Sequence, residues 1–348
     1  MRAPKMTQVF VHGIGSVSPA GWGVNRLREA MQDQRAVELK DIARPGWPSP
    51  LRVRQVPAPA SRPAFLGHPR LRRASPVTHY AVAAGIEALG GEAALAGNGI
   101  GRLGVILCTM TGCVNYSRRF YEEILRDPAT ASPLVFPETV FNAPSSHIAA
   151  LLGTTALNYS LVGDPGTFLQ GLALAAEWLL QGQADGCLVI GVEELDWLTS
   201  DAFRMFTRRI VVSDGAGALY LKREKPRRPA AELAGVTSSH LFPNRRSRLA
   251  AAAKMRAELP AGAPAHLLCD GLQDIQRLDA AEATAWQDWT GQRVSPKKVL
   301  GEGLMAAAAW QCVAAVDALQ PGGPDSAVVS VVGCNQQAIG AHFVRSQS

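Results

Sequence analysis

Short apolar segments bounded by glycine alternate with amphipathic helical segments along almost the whole of this chain. Continuous apolar strands are typical of parallel sheets that are buried on both faces. The pattern therefore predicts an α/β fold in which helices cover both faces of the sheets. The predicted strands are Val9–Gly13, Leu103–Cys108, Ala156–Leu161, Gly186–Gly191, Ala216–Lys222, Ala231–Thr237, Ala265–Asp270, Lys298–Gly301, Ala327–Gly333 and Ala341–Arg345.

The same periodicity places helices between the strands and divides the chain into two parts. A basic, proline-bearing link, Lys222–Pro229, interrupts the alternation. We therefore predict an N-terminal half over residues 1–222 and a C-terminal half over residues 230–348. The predicted helices are Val24–Met31, Ser75–Leu89, Asn142–Leu152, Gln170–Leu180, Arg246–Leu259, Ala280–Trp289 and Leu304–Leu319.

The composition fits a large globular protein. A chain of 348 residues, 47% of them hydrophobic, can bury one large core or two fused halves. No apolar run reaches the roughly 18 residues that span a membrane, and the basic start is followed by a short alternating strand, not by the apolar part of a signal peptide. The six cysteines form no C-x-x-C pair, which favours structural thiols in a reducing cytoplasm. We expect a cytoplasmic protein without a metal or cofactor.

Residues 163–194, GDPGTFLQGLALAAEWLLQGQADGCLVIGVEE, carry the most informative motif. They combine a helix over Leu172–Gln181, a turn at Gly182 and a buried strand over Gly186–Val192. This succession resembles the core of the β-ketoacyl synthase family, in which a strand and a sharp turn with the reactive cysteine precede the helix. Counting back from the glycine turn, the cysteine position falls on Pro165.

Further segments resemble motifs of the same family, and they occur in the family's order. Because they cover almost the whole chain, the resemblance implies a thiolase-like duplicated fold of α/β/α/β/α layers, with the duplication taken from the family because no repeat is visible in the sequence. The segments are Val9–Ala20 (VFVHGIGSVSPA), Ser132–Gly153 (SPLVFPETVFNAPSSHIAALLG), Ser213–Leu221 (SDGAGALYL), Leu267–Glu282 (LLCDGLQDIQRLDAAE) and Ser295–Ala308 (SPKKVLGEGLMAAA).

The resemblance also implies that the family's catalytic residues are missing. The nucleophile position holds Pro165, and the two positions that match catalytic histidines hold Asp270 and Glu302, while the family lysine is retained as Lys297. Decarboxylative condensation needs a thiolate that carries the acyl chain and two imidazoles that stabilise the developing anion. A carboxylate at either histidine position would repel that anion. The three losses together predict a chain without this activity.

A subunit of this family that lacks its nucleophile resembles the chain-length factors of type II polyketide and aryl-polyene systems. Such subunits pair with a catalytic ketosynthase and work with an acyl carrier protein in polyketide or fatty-acyl chain elongation. A two-fold, self-complementary interface allows a duplicated subunit to keep its partner while losing catalysis. The usual chain-length factor has glutamine at the nucleophile position, whereas this chain has Pro165.

The resemblance places the subunit interface on the segment Ala156–Val162, which precedes the nucleophile turn. Its sequence, ALNYSLV, alternates in the manner of an edge strand that seeks a partner. Leu157, Tyr159 and Leu161 share one face of this strand and are the predicted interface residues. The partner is either an active ketosynthase, giving a heterodimer, or a second copy of the chain.

The formal net charge of +6 is concentrated in short clusters. These clusters are either solvated surface or docking sites for an acidic acyl carrier protein or a partner subunit. Nucleic-acid binding is not expected, because no recognised motif and no interleaved aromatic residues accompany the charge. The candidate docking residues are Arg70, Arg72, Arg73, Arg245, Arg246 and Arg248.

Two other functions remain open from the sequence. Asp270 and Glu302 could form a carboxylate pair that performs acid–base chemistry in an acyltransferase or hydrolase. The chain could also be a stand-alone protein that binds acyl carrier protein. A dinucleotide site is not favoured, because the pattern that begins with Gly13 and Gly15 has Ser18 where the third glycine belongs.

Overall fold

The computed structural model describes residues 9–91, 101–226, 231–334 and 336–346, which contain strands and helices in alternation. The elements of the first half are β1 (Phe10–Ser18), β2 (Gly21–Trp22), α1 (Val24–Asp33), β3 (Lys40–Ile42), β4 (Leu51–Val53), α2 (Pro76–Ala88), β5 (Leu103–Thr109), α3 (Val114–Arg126), α4 (Ala143–Leu152), β6 (Asn158–Val162), α5 (Thr167–Leu180), β7 (Gly186–Glu193), α6 (Trp197–Phe203) and β8 (Gly215–Lys222). Those of the second half are β9 (Ala231–Val236), β10 (His240–Leu241), α7 (Arg245–Glu258), β11 (His266–Cys269), α8 (Gln276–Ala285), β12 (Gln292–Val294), α9 (Pro296–Leu300), α10 (Met305–Ala318), β13 (Ser326–Val332) and β14 (Gln337–Arg345).

The strand order reveals the duplication that the sequence does not display. The main strands of the first half lie in the order β6-β5-β7-β8-β1, and those of the second half in the order β12-β11-β13-β14-β9. In each half the first three strands of this order are parallel, and the last two are joined by antiparallel pairing. The two orders are the same arrangement, so the predicted thiolase-like duplicated α/β fold is confirmed. The halves meet where Phe10 of β1 pairs with Glu232 of β9.

Helices occupy both faces of each sheet. Two of them, α5 and α10, pack against strands of both halves and form the central layer. The outer face of the first sheet is covered by α2 and α4, and that of the second sheet by α7 and α8. Alternate residues of β5 belong to different hydrophobic clusters, one shared with α5 and α10 and the other with α2 and α4. This alternation is why β5 is apolar along its whole length.

Small residues bring the central helix α10 close to the sheet. A Cβ atom placed on Gly191 of β7 or Gly217 of β8 would lie within 2.9 Å and 2.7 Å of the Ala309 Cβ. Every residue of α10 from Met305 to Val313 is buried. The many alanines and glycines of the sequence therefore serve close packing between helix and sheet.

The glycines that could have started a dinucleotide site have a packing role. Gly13 and Gly15 lie inside β1, where α2 crosses the strand. A Cβ atom on them would lie 2.0 Å from the carbonyl oxygen of Ala88 and 1.9 Å from that of Ala84. Only glycine allows this approach, so the structure explains the pattern without a nucleotide.

One element was predicted wrongly, and two helices were not predicted. The predicted strand Lys298–Gly301 is wrong, because these residues belong to α9 and its C-terminal cap. The edge strand of the second half is instead β12. The helices α3 and α6 were not predicted. Part of the predicted link between the halves, residues 227–230, lies outside the described residues. Within the described ranges, no helix combines the length and the apolar character required to cross a membrane.

Candidate functional site

The turn that was predicted to match the family's nucleophile position is closed by its own hydrogen bonds. Pro165 is buried between β6 and α5. Each amide N–H from residue 166 to residue 169 donates to an oxygen atom of Asp164, Pro165 or Gly166, at 2.8–3.3 Å. Proline itself has neither a thiol nor a backbone N–H. The start of α5 therefore offers no free donor to a substrate anion.

Asp164 connects this turn to the loop before β14 and to Gln337, the first residue of β14. Its side chain is fully buried and accepts hydrogen bonds from the backbone N–H of Gly166 (3.0 Å) and from Nε2 of Gln337 (3.1 Å). A Cβ atom on Gly333 would lie 1.8 Å from the Asp164 carboxylate, so this loop needs glycine there. No sequence pattern points to the contact between Asp164 and Gln337, because the two residues are 173 positions apart.

Glu302, at the second position predicted to match a catalytic histidine, forms a buried ion pair. Its carboxylate lies 2.7 Å from Nζ of Lys297, and the two side chains are 0% and 4% exposed. The other carboxylate oxygen accepts the backbone N–H of Leu304 at 3.0 Å. Burial lowers the pKa of Lys297, but the neighbouring carboxylate raises it, and the net effect is a pKa above the usual value. Lys297 is thus the counter-ion of Glu302.

Asp270, at the first position predicted to match a catalytic histidine, has different partners. Its Oδ1 accepts the hydroxyl of Ser295 at 2.6 Å and the backbone N–H of Leu272 at 3.2 Å. Its Oδ2 lies 3.5 Å from Nε of Arg293 and has no hydrogen-bond partner among the described residues. Burial raises the pKa of Asp270, while the hydrogen bond from Ser295 lowers it.

The two carboxylates do not act on one another in the way that an acid–base pair requires. Glu302 is neutralised by Lys297, and Asp270 is held by Ser295 and Arg293. No hydrogen bond joins Asp270 to Glu302 among the described residues, and both are fully buried. The geometry therefore does not favour the hydrolase or acyltransferase alternative.

The region beside these residues is filled by side chains. The short segment between Glu194 and Asp214 contributes to this filling. Within it, α6 and the following turn place Phe203, Phe206 and Ile210 against residues of the second half. The remaining members of this cluster are Val212, Ile275, Leu278, Leu304, Met110 and Cys334.

Two consecutive glutamates at the end of β7 hold the neighbouring loops, a role that the sequence did not reveal. Glu193 accepts the backbone N–H groups of Met110 and Thr111, at 2.5 Å and 3.0 Å. Glu194 accepts those of Val77 and Asn115, at 3.1 Å and 2.7 Å. Burial raises the pKa of each glutamate to about 7. Two acidic residues directly after an apolar strand were the sequence signal that could have predicted carboxylates bound to neighbouring loops.

The predicted interface strand is the edge strand β6. It pairs with β5 on one side, and no strand of the described residues pairs with its other side. Leu157 and Leu161 pack against the central cluster, and Tyr159 is half exposed with its ring edge-on to Trp178, 5.0 Å away. The neighbouring polar side chains of the strand bond to Ser145 of α4, so the predicted alternation of faces is present.

An exposed apolar surface is formed by α3 and the segment that follows it. No residue of α3 is buried, although Tyr121 and Leu125 are apolar or aromatic and 61% and 69% exposed. The segment that packs on α3 adds exposed Leu134 and Phe136, and the Phe136 ring lies 5.5 Å from that of Phe120. This segment continues into α4, which is hydrogen-bonded to β6. Contiguous apolar surface of this kind usually marks a protein interface.

The predicted docking arginines lie in two separate places. Arg70, Arg72 and Arg73 are exposed on the turns that precede α2, and Arg245 and Arg246 are exposed in the first turn of α7. Arg248 is half-buried, with its guanidinium 5.7 Å from the ring centre of Phe242. Their part in docking remains a prediction.

Comparisons with known proteins agree on one family. A family model described as "Beta-ketoacyl synthase, N-terminal domain" matches residues 6–227, more than half of the chain. A β-ketoacyl-[acyl-carrier-protein] synthase III of Granulibacter bethesdensis is 34% identical over 110 residues. That alignment covers 30% of this chain and 32% of the relative, so this chain spans about a third of the relative's length.

Solved structures match over nearly the whole chain. The ishigamide ketosynthase/chain length factor superposes with a TM-score of 0.79 at 19% identity, covering 98% of this chain and 100% of that chain. A ketosynthase in complex with its chain length factor from Xenorhabdus doucetiae gives a TM-score of 0.74 at 15% identity, covering 97% and 98%. At this level of identity the similarity establishes the fold.

Proposed function

We infer that this chain, which belongs to the β-ketoacyl synthase family, is a non-catalytic subunit that pairs with an active β-ketoacyl synthase in type II polyketide or fatty-acyl chain elongation. The observation that carries the proposal is the closed nucleophile turn. Pro165 supplies no thiol, and every amide from residue 166 to residue 169 is already used within the turn. The fold is retained where its chemistry is not.

The electrostatics of the old site support the same proposal. Condensation passes through an enolate and an oxyanion, which need hydrogen-bond donors placed in advance. Here the two histidine positions carry acceptors, Asp270 and Glu302, and the nearby cation Lys297 is already paired. Rebuilding the site would need several changes at once, because each of these groups depends on its partners for burial.

A role as a partner subunit is supported by the surface. Among the described residues no strand pairs with the outer side of β6, and α3 and the segment that follows it expose apolar side chains. The two related complexes each combine a ketosynthase with a chain length factor in their own systems. We propose that this surface receives the catalytic ketosynthase and that the exposed arginines attract an acidic acyl carrier protein. All six cysteines are free thiols, which supports the proposed cytoplasmic location.

Prediction one tests the proposal by separating the chain from its partner. The purified chain alone should form no acyl-enzyme with an acyl carrier thioester and should show no condensation, because Pro165 offers no nucleophile. Co-expressed with a neighbouring ketosynthase, it should co-purify in a complex that condenses. Intact-mass analysis, size-exclusion chromatography and product assays measure these outcomes. A stable acyl adduct on the isolated chain together with turnover would contradict the proposal.

Prediction two concerns repair of the nucleophile. Pro165→Cys restores a thiol and a backbone N–H, yet the isolated variant should stay below about one thousandth of the rate of an active ketosynthase, since loss of one oxyanion donor alone costs roughly 10²–10³-fold. Asp270 and Glu302 would still oppose the developing charge. Alkylation followed by mass analysis shows whether the new thiol can be reached. Turnover by this single variant would mean that the site is less altered than its geometry indicates.

A further inference from the structure

A cavity of about 320 Å³ lies between the helix α1 of the first half and the sheet edge of the second half. Its walls come from α1, from β11 and β12, and from the C-terminal part of α10. The apolar part of its lining includes Val24, Met31, Leu267, Val294, Ala314 and Ala318. Clefts of this size between two parts of a chain are common places for small ligands.

The corresponding corner of the first half is filled by aromatic rings. There, Tyr159 of the edge strand β6 lies edge-on to Trp178 of α5, with the ring centres 5.0 Å apart. In the second half, the edge strand β12 places the exposed Gln292 opposite Leu267, and α10 presents alanines to the cavity. Among the described residues no aromatic ring lines this corner. The duplicated fold therefore leaves a space here of the kind that rings occupy in the other half.

The two charged groups at the rim of the cavity are paired with each other. Arg28 of α1 donates to Asp317 of α10 from Nε at 2.7 Å and from Nη2 at 2.6 Å. The remaining nitrogen, Nη1, donates to the side chain of Asn25 at 2.9 Å. Because the guanidinium and the carboxylate neutralise one another, this rim offers little attraction to an ion of either sign.

Two side-chain amides at the rim are available to a ligand. Gln32 and Gln320 line the cavity and are exposed, and no hydrogen bond of either side chain is found within the part of the chain that the structure describes. A glutamine amide both donates and accepts hydrogen bonds. The rim can therefore hold an uncharged polar group such as a hydroxyl.

We propose that this cavity is a binding site for a small uncharged aromatic molecule that carries one hydroxyl or amide group. A ring suits the space, because rings fill the corner of the first half and the thioether of Met31 is a favourable contact for one. A charged ligand would lose its hydration without gaining a partner. The volume corresponds to about ten water molecules, which admits one ring with its substituent and excludes a whole nucleotide.

The site is formed by both halves of one chain and by other elements than the surface proposed for the ketosynthase. Binding is therefore measured on the purified chain without any partner. A failure here leaves the pairing proposal unaffected, and a failure to pair leaves this site unaffected.

The experiment titrates the purified chain with benzyl alcohol, benzylamine, benzoate and cyclohexylmethanol by isothermal calorimetry at fixed pH and ionic strength. These probes have similar sizes and differ in charge or in aromatic character. We expect saturable binding of benzyl alcohol. The two ions should bind about tenfold more weakly or worse, because their charge finds no partner. Cyclohexylmethanol should bind about threefold more weakly, because it lacks the contact between a ring and sulfur.

Two variants place a protein ring in the cavity. Ala314→Phe and Ala318→Phe should each weaken benzyl alcohol binding about tenfold or more, because the space is then filled. The matched control is Ala253→Phe, which adds the same ring at an exposed position of α7 and should leave binding unchanged.

Three results would overturn the proposal: no saturable binding of benzyl alcohol, equal affinity for any of the other probes, or equal losses in all three variants. Circular dichroism checks that each variant folds. If one cavity variant does not fold, the other decides the question, and the four probes on the unmodified chain decide it if neither folds.

Discussion

Replacing Lys297 with methionine is expected to lower the free energy of unfolding by about 3–5 kcal/mol, the usual cost when one member of a buried ion pair is removed. Lys297 and Glu302 are 4% and 0% exposed and 2.7 Å apart. Without the ammonium group, the Glu302 carboxylate would be left buried with the backbone N–H of Leu304 and a 3.4 Å contact from Gln273. It would have to take up a proton or open the structure to water.

The adjacent lysine supplies a matched control. Lys298 forms a 2.8 Å pair with Asp274, but both side chains are largely exposed, at 39% and 72%. Lys298→Met should therefore change stability by less than about 1 kcal/mol. The double variant Lys297→Met with Glu302→Gln should recover much of the loss, because no buried charge remains. Urea unfolding followed by circular dichroism measures all three, and similar costs at Lys297 and Lys298 would contradict this account.

The fold was predictable because its signals are local and repeated. The helix and strand within residues 163–194 follow from apolar runs separated by glycine, and α5 and β7 lie where they were expected. The run Lys298–Gly301 was misleading, because two apolar residues before a glycine resemble a short strand. Pro296 at the first turn of α9 and Gly301 with φ of +89° begin and end a helix instead. The real strand, β12, is a polar edge strand and gives little signal.

The sequence draws attention to the positions of the candidate site but not to their contacts. Motif matches single out Pro165, Asp270 and Glu302. The hydrogen-bond and ion-pair partners of these residues depend on how distant segments pack. The pair of Asp164 and Gln337 is an example, because no local sequence pattern predicts it. The exposed apolar face of α3 is similar: periodicity can suggest a helix, but it does not say whether the apolar side meets this chain or another one.

Substituting Leu157, directly before β6, or Tyr159 of β6 with aspartate is expected to break the proposed assembly, because both residues lie along an edge that no strand of the described residues covers. A charge desolvated at an interface costs about 2–5 kcal/mol, enough to weaken association by roughly 30-fold or more. Tyr159 is half exposed, so Tyr159→Asp should dissociate the complex with the smaller effect on folding. Leu157→Asp should also lower solubility, since an apolar strand edge without its partner aggregates.

The control for these variants is Leu241→Asp, which introduces the same charge on an exposed leucine of β10, 75% accessible and outside the proposed interface. It should leave assembly unchanged. Size-exclusion chromatography with mass analysis, with and without the ketosynthase, distinguishes the two possible partners. A homodimer carries each substitution twice and a heterodimer once, so the homodimer should lose about twice the free energy of association. Unchanged assembly in both variants would contradict the proposed interface at the β6 edge. A stable monomer of the unmodified chain in the presence of the ketosynthase would contradict the role as a partner subunit, because the β6 edge would then bind no other subunit.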